Sequence, residues 1–178
     1  MEPLWLKNYP AGVPAEVDIS LYPSVVALFE ESFAKYKNAV AYVCMDKKLT
    51  FGQLEELSRA LGAFLQSKGI KKGDRIAIMM PNVLQYPVAV AGVLRAGYSV
   101  VNVNPLYTPR ELEHQLKDSG ASAIIILENF ATTLEKVIGA TPVKQVVIAS
   151  MGTRQEGLRS AISKPTPIAA LNVAVSRM

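Results

Sequence analysis

Apolar residues recur along the chain at two spacings, one typical of helices and the other of buried strands. Helical spacing places Leu54, Leu57, Leu61 and Leu65 on one face of a single segment. The pattern predicts helices over residues 24–33, 51–68, 87–95, 109–118 and 129–138. Short apolar runs predict strands over residues 39–44, 75–80, 99–103, 123–127 and 145–149.

Start and stop signals bound several of these helices. Thr50 with Gln53, and Thr108 with Glu111, have the spacing of a capping box, in which a hydroxyl accepts from the third helical N–H and the third side chain reaches back. Pro109 suits the first helical position. The glycines that predict helix ends are Gly69, Gly97 and Gly120.

Strands that are apolar throughout and alternate with helices predict a parallel sheet covered on two faces. We therefore expect a doubly wound α/β fold, with a mainly parallel five-stranded sheet and helices on both faces. The expected organisation is an N-terminal extended segment over 1–23, an α/β subdomain over 24–150, and a loop with a truncated linker helix over 151–178. A charged turn is expected at Asp46-Lys47-Lys48, after the first strand.

Composition and charge exclude several functional classes. Half of the 178 residues are hydrophobic, which suits a globular domain with a real core. The net charge of +4 comes from 19 basic and 15 acidic residues that are scattered along the chain, so no nucleic-acid-binding surface is expected. The pair Lys71-Lys72 is interpreted as a solvated rim, with an anion-binding site as the alternative.

The chain has one cysteine, Cys44, and one histidine, His114. These numbers exclude an intrachain disulfide and a zinc site built from those ligands alone. The first residues lack a signal-peptide core, and no apolar run approaches the ~18 to 20 residues that span a bilayer. A reduced, cytoplasmic setting is the resulting prediction.

Candidate chemistry in the residues themselves is sparse. The segment GVLRAGYS at 92–99 imitates the phosphate loop G-x-x-x-x-G-K-[ST], but Tyr98 replaces the lysine and the segment leads from a helix into a strand. We interpret Gly97 as a left-handed helix cap. His114 is interpreted as solvent-facing because no nucleophile motif accompanies it. Cys44, within an apolar strand, is given a structural role. The residues alone predict a scaffold with no catalytic and no metal-binding residue.

Three blocks of sequence carry a family resemblance: LTFGQLEELSRALGAFLQSKGIKKGDRIAIMMPN at 49–82, QYPVAVAGVLRAGYSVVNVNPLYTPRELEHQL at 85–116 and KDSGASAIIILENF at 117–130. Together with the opening segment WLKNYPAGVPAEVD, they resemble the adenylate-forming acyl-CoA synthetases. The wording NVNPLYTPRELEHQL is most similar to that of the bacterial long-chain fatty-acid–CoA ligases.

The resemblance implies a two-step reaction. ATP activates a fatty acid as an acyl-adenylate, and coenzyme A then displaces AMP to give the thioester. It also implies Mg²⁺ as a cofactor, and it places the phosphate loop and the catalytic residues downstream of the matched region. No stretch resembles T-S-G-T-T-G-x-P-K-G, so no catalytic residue is carried over. The tail LNVAVSRM resembles the start of a linker helix that precedes this loop. The resemblance therefore implies an inactive N-terminal fragment of such a ligase.

The loop NPLYT at 104–108 resembles a segment near the coenzyme A and acyl path of the family. This likeness implies that Asn104 and Tyr107 bind substrate; the alternative is that the loop only shapes a turn and starts a helix. The expected partners are fatty acid, ATP and coenzyme A. Peripheral contact with the inner membrane and homodimerisation stay open. The alternative function is a non-catalytic binding or dimerisation module of the same fold.

Overall fold

The computed structural model describes residues 3–150 and 170–171. Its helices are α1 (Val25–Lys35), α2 (Phe51–Ser67), α3 (Gln85–Arg95), α4 (Pro109–Ser119) and α5 (Ala131–Glu135). Its strands are β1 (Val40–Cys44), β2 (Lys47–Thr50), β3 (Arg75–Met79), β4 (Ser99–Asn102), β5 (Ala123–Leu127), β6 (Gln145–Ala149) and β7 (Ala170–Leu171). Three 3₁₀ turns complete the elements of this part of the chain: Leu4–Asn8, Glu128–Phe130 and Ile138–Ala140.

Five parallel strands form the central sheet, in the order β4-β3-β5-β6-β7. Ile76 of β3 pairs with Val100 of β4 on one side and with Ala123 of β5 on the other. The chain leaves β3 in one direction and then crosses back over it to β5, and right-handed crossovers in opposite directions require helices on opposite faces. Accordingly, α1, α2 and α3 cover one face, and α4 and α5 cover the other. The predicted doubly wound fold is confirmed.

Strand β5 shows why the buried strands are apolar throughout. All five of its residues are buried. Ala123, Ile125 and Leu127 face the core beneath α2 and α3, whereas Ile124 and Ile126 face the core beneath α4 and α5. Because successive side chains of a strand point to opposite faces, a strand covered on both sides needs an apolar residue at every position.

The first predicted strand does not belong to this sheet. Residues 40–44 pair instead with β2 as a separate antiparallel hairpin. Met45 and Asp46 connect the two strands with φ angles of 48° and 61°, the left-handed conformation that two-residue hairpin turns require at both positions. The predicted turn at Asp46-Lys47-Lys48 is therefore wrong for Lys47 and Lys48, which lie in β2. An apolar run indicates a strand, but it does not determine which other strand it pairs with.

The ends of the chain also differ from the prediction. The helix predicted over 129–138 is broken into the turn Glu128–Phe130, the short α5 and the turn Ile138–Ala140. The segment predicted as extended over 1–23 contains the 3₁₀ turn Leu4–Asn8. In the segment predicted as loop and linker helix, residues 170–171 form β7, and the rest of 151–178 lies outside the described residues.

The helix boundaries follow the local signals closely. Both capping boxes are formed: the Thr50 hydroxyl accepts from the Gln53 N–H at 3.2 Å, and the Thr108 hydroxyl accepts from the Glu111 N–H at 3.4 Å. At the end of α3, Gly97 has a φ of 84°, which allows the Tyr98 N–H to bond the Val93 carbonyl at 3.1 Å. The imitation of a phosphate loop is thus a helix cap.

Helices α2 and α3 cross at very short range through two glycines. A Cβ atom on Gly92 would lie 3.0 Å from the Ser58 carbonyl oxygen and 3.0 Å from Cδ2 of Leu61. A Cβ atom on Gly62 would lie 3.1 Å from the Gly92 carbonyl oxygen. Only a hydrogen at these positions lets the two backbones approach this closely.

Arg95, at the end of α3, ties this pair of helices to α1. Its Nη1 donates to the Glu55 carbonyl oxygen at 2.7 Å and to the Ser58 hydroxyl at 2.8 Å, both on α2. Its Nε contacts Glu30 Oε1 of α1 at 2.8 Å, and its guanidinium lies 5.5 Å from the ring centre of Phe33. One cation therefore satisfies groups on two helices and stacks on an aromatic ring of α1.

Candidate functional site

The carboxyl edge of the parallel sheet is the place where this fold brings loops together. In open α/β sheets, ligands bind beyond the carboxyl ends of the strands, where the strand order reverses. Here the reversal lies between β3 and β5. The connection from β3 runs to β4 on one side, and the connection from β5 runs to β6 on the other. The loops after β3, β4 and β5, and Ser150 just after β6, lie at this edge.

Asn102, the last residue of β4, joins two helices at this edge. The Tyr86 hydroxyl of α3 donates to Asn102 Oδ1 at 3.0 Å, and Nε2 of Gln115 in α4 donates to the Asn102 carbonyl oxygen at 2.9 Å. The other amide atom, Gln115 Oε1, is buried and has no hydrogen-bond partner among the described residues. The end of the outermost strand is thus fixed from both faces of the sheet.

A second set of polar contacts lies at the same edge of the sheet, next to β5 and β6. The Ser150 hydroxyl, just after β6, donates to Glu128 Oε1 at 2.6 Å, just after β5. Gln85 Nε2, in the first turn of α3, donates to the Ser150 carbonyl oxygen at 3.0 Å. These polar contacts were not predicted, although a signal was present, because Asn102, Glu128 and Ser150 each end or directly follow an apolar run.

The predicted substrate-binding residues Asn104 and Tyr107 lie in the loop after β4, on this same edge. Asn104 Oδ1 accepts from the Leu106 N–H at 3.0 Å, and the Asn104 carbonyl oxygen accepts from the Tyr107 N–H at 3.1 Å. Asn104 is exposed, whereas Tyr107 is half-buried against the core beneath α4. These contacts build a turn, and the assignment of both residues to substrate binding stays a prediction.

A shallow polar depression of about 690 Å³ lies beside that loop. Tyr107, Thr108 and residues of α4 line it, but Asn104 does not, so the two predicted residues do not share one cavity. His114 lies in its wall and is exposed, as predicted. The hydroxyl and N–H of Thr108 both bond Glu111 and hold the pKa of its carboxyl below the ordinary value. The depression holds charged groups but no activated nucleophile.

A second cavity, which we call the hairpin groove, is apolar and has a volume of about 430 Å³. It is enclosed by α1, β1, the loop after β3 and α3. Cys44 lines it, half-buried, with its Sγ 3.7 Å from the Asn82 carbonyl oxygen. The groove is lined by Phe29, Phe33, Tyr42, Val43, Cys44, Leu54, Asn82, Val83, Leu84, Tyr86, Pro87, Val90 and Ala91.

Residues 3–150 and 170–171 contain neither a metal-binding cluster nor a membrane-spanning helix. No group of three or more His, Cys, Asp or Glu side chains is placed to hold a metal ion. None of the helices in these residues is both long enough and apolar enough to cross a bilayer.

Comparison with known proteins extends the resemblance seen in the three sequence blocks. The chain is 60% identical over 153 residues to a long-chain-fatty-acid–CoA ligase of Escherichia coli O6:H1, which covers 85% of this chain and 27% of that protein. A long-chain-fatty-acid–CoA ligase of Yersinia pestis is 58% identical over the same length, and one of Bacillus subtilis is 38% identical over 147 residues. The chain spans about a quarter of the length of these curated relatives.

Solved structures show the same fold at lower sequence identity. An anthranilate CoA ligase in complex with anthranoyl-AMP superposes with a TM-score of 0.70 at 22% identity, over 74% of this chain and 26% of that one. A long-chain-fatty-acid-CoA ligase from Archaeoglobus fulgidus gives a TM-score of 0.69 at 24% identity, over 79% and 29%. A family model described as AMP-binding enzyme matches residues 29–173. The chain belongs to the AMP-binding enzyme family.

Proposed function

We propose that this chain is the N-terminal portion of a bacterial long-chain fatty-acid–CoA ligase. The observation that carries the proposal is the 60% identity over 153 residues to a ligase of which those residues form 27%. The full-length enzyme would join ATP and a fatty acid carboxylate into an acyl-adenylate with release of pyrophosphate. The thiol of coenzyme A would then attack the acyl carbon and release AMP.

Within that enzyme, we assign this portion the role of a scaffold. The sequence holds no glycine-rich phosphate loop, and among the described residues no group of three or more His, Cys, Asp or Glu side chains is placed to hold by itself the Mg²⁺ ion that the family resemblance implies. No step of the reaction is therefore assigned to these residues, and the 178-residue chain is expected to be inactive alone. ATP, coenzyme A and Mg²⁺ would be bound mainly by the rest of the enzyme.

The loop from Asn104 to Tyr107 is the part of this portion that we place nearest to substrate. It lies on the carboxyl edge of the sheet, where open α/β folds bind ligands. Asn104 uses its Oδ1 to hold the turn, while its side chain remains exposed. Its amide NH₂ would donate to coenzyme A or to the acyl carbonyl, and the Tyr107 ring would pack against the ligand.

The cellular setting of the enzyme follows from the same proposal. We place it in the cytoplasm, with peripheral contact to the inner membrane, where fatty acids partition. The exposed side chains of Leu4 and Trp5, which are 77% and 63% accessible, and the nearby Lys7 support such contact. Homodimerisation through this portion is a further part of the proposal.

Exchange of pyrophosphate into ATP, driven by palmitate, tests the function. The 178-residue chain should give none. A chimera of residues 1–150 continued by the residues of the Escherichia coli O6:H1 relative that follow the position aligned with Ser150 should restore exchange and thioester formation. Without palmitate, the chimera should catalyse no exchange of pyrophosphate into ATP. Robust exchange by the pure 178-residue chain would contradict the scaffold role. A folded but inactive chimera would favour the alternative, a non-catalytic binding or dimerisation module.

A further inference from the structure

Several apolar residues of the hairpin and of α1 are exposed in or beside the hairpin groove. Tyr42 and Val43, in its wall, are 47% and 62% accessible, and Val40 and Met45 of the same hairpin are 46% and 75% accessible. Leu28 of α1, beside the lining residue Phe29, is 39% accessible. Single exposed apolar residues are ordinary on protein surfaces, but a contiguous patch around a groove marks an interaction site.

The hairpin is covered on one face only, where Leu49 of β2 is buried in the core. In the part of the chain that the structure describes, β1 and β2 pair only with each other, and the β1 burial pattern has no buried residue. An isolated two-stranded hairpin is marginally stable in water, and unpaired strand edges attract further strands. A sequence that keeps Val40, Tyr42, Val43 and Met45 on such a hairpin indicates that something packs against it.

The lining of the groove identifies the kind of occupant. None of its lining residues is charged, so it offers no cation to meet the carboxylate of a fatty acid or the phosphates of a nucleotide. Its apolar walls instead suit the side chains of another protein segment, packed as in a domain core.

The path of the chain indicates which segment this is. Gln85, whose neighbours Leu84 and Tyr86 line the groove, donates from Nε2 to the Ser150 carbonyl oxygen at 3.0 Å. Ser150, the last described residue after β6, is therefore held beside residues of α3 that neighbour the groove. In the relatives, nearly three quarters of the polypeptide lies outside the matched region, since the match covers 27% of their length.

We propose that the hairpin groove is the seat on which the polypeptide following this portion docks in the full-length ligase, through an apolar helix or strand face. The inference rests on the proposed function, because it requires the longer enzyme. It adds a specific surface, in which α1 and the β1–β2 hairpin form a clamp with α3.

Cys44 is the single cysteine of the chain and lines the groove, so the rate of its alkylation shows whether the groove is covered. We would compare iodoacetamide modification of Cys44 in the 178-residue chain and in the chimera, following the Cys44 peptide by mass spectrometry. The expected result is modification at least about tenfold slower in the chimera, because a covered thiol reacts only after local opening. Equal rates in the two proteins would overturn the inference.

Two further arms of the experiment separate the other occupants. If a second copy filled the groove, the rate of Cys44 modification in the 178-residue chain would fall as the protein concentration rose. Sedimentation would show a dimer over the same range of concentrations. If an acyl chain filled it, palmitate below its micelle concentration would slow the rate in that chain. Either result would overturn the docking inference. Rates independent of concentration and palmitate support it, together with protection in the chimera.

A charge placed in the groove supplies the matched variants. Val43→Asp in the chimera should return Cys44 modification toward the rate of the 178-residue chain, because an unpaired carboxylate would be buried on docking. Ile19→Asp is the control, since Ile19 is 88% accessible and lies outside the groove. Equal loss of protection in both variants would overturn the assignment, as would a chimera that cannot fold.

The outcomes also distinguish this inference from the proposed function. A chimera that forms acyl-CoA while Cys44 stays fully reactive would leave the function standing and reject the docking surface. A folded chimera with a protected Cys44 and no ligase activity would reject the function and keep the surface.

Discussion

The parallel sheet with α2 and α3, and the α1–hairpin layer formed by α1, β1 and β2, both contain a strand that is apolar throughout, yet the two strands are buried very differently. In β5, all five residues are buried. In β1, which has the apolar sequence VAYVC, no residue is buried and three of the five are exposed. The sheet receives a layer of helices on each face, whereas the hairpin is covered on one side only. Apolar sequence alone therefore does not tell whether a strand is enclosed by its own portion of the chain.

The largest difference should appear when matched leucines are truncated. Leu61 of α2 is 1% accessible in the core, whereas Leu28 of α1 is 39% accessible. Leu61→Ala should lower the free energy of unfolding by about 2 to 5 kcal/mol, because the cavity left at the α2–α3 crossing cannot fully collapse. Leu28→Ala should cost about 0.5 kcal/mol or less. Urea denaturation of both variants measures this; equal losses would show that the two layers are equally enclosed.

Removing the cation that joins the two layers should have the next largest effect. Arg95→Met keeps the length of the side chain but loses its hydrogen bonds to Glu55, Ser58 and Glu30. We expect a loss of about 1.5 to 3 kcal/mol, since the Arg95 side chain is only 13% accessible and the hydrogen bonds that it makes are those of a charged group.

Hydrogen exchange locates that loss. Amides of α1 should exchange faster in Arg95→Met while those of β3 and β5 keep their protection, because the hydrogen bonds of Arg95 join α1 to α2 and not to the sheet. The exposed Arg110→Met is the control and should change neither measurement. Uniform acceleration across the sheet would show that α1 and the sheet unfold as one unit.

Adding a methyl group at the α2–α3 crossing tests the packing beneath the hairpin. In Gly92→Ala, the new Cβ would meet the Ser58 carbonyl oxygen and Leu61 at 3.0 Å, and the two helices must separate. We expect a net loss of about 1 to 2 kcal/mol, since strain from overpacking exceeds the gain of about 1 kcal/mol in helix propensity.

Gly139→Ala is the matched control for this change. It adds the same methyl group where no other atom lies within 4 Å, so thermal unfolding should leave its midpoint unchanged. A Gly92→Ala protein as stable as the original would mean that α2 and α3 adjust freely beneath α1.

The contrast between the two layers explains which features the sequence predicts. The β3–β6 strands and the helix caps were predicted correctly because their signals are local: an apolar run, a threonine three residues before Gln53 or Glu111, a glycine after Arg95. The first strand of the hairpin was assigned to the sheet, because the choice of a partner strand depends on long-range contacts that the local sequence does not show. For the same reason the contact between Tyr86 and Asn102, which lie 16 residues apart, could not be predicted. The sequence shows polar residues at the ends of the strands, but predicting which of them come into contact requires knowledge of the strand order.

The smallest expected effect concerns a purely local signal on the sheet side, the capping box of α4. Bonds from the Thr108 hydroxyl and N–H hold the pKa of Glu111 below its ordinary value. A lowered carboxyl pKa in the folded state means that this contribution to stability is complete above the unfolded pKa and is lost as pH falls through the folded pKa. Thr108→Val should therefore raise the Glu111 pKa, measured by NMR titration of its side-chain carboxyl, and weaken the fall in stability over that acidic range. Thr108→Ser keeps the hydroxyl and should retain the low pKa. If Val and Ser gave the same Glu111 pKa, the hydroxyl would not be the cause, and the backbone N–H of residue 108 alone would hold the carboxylate.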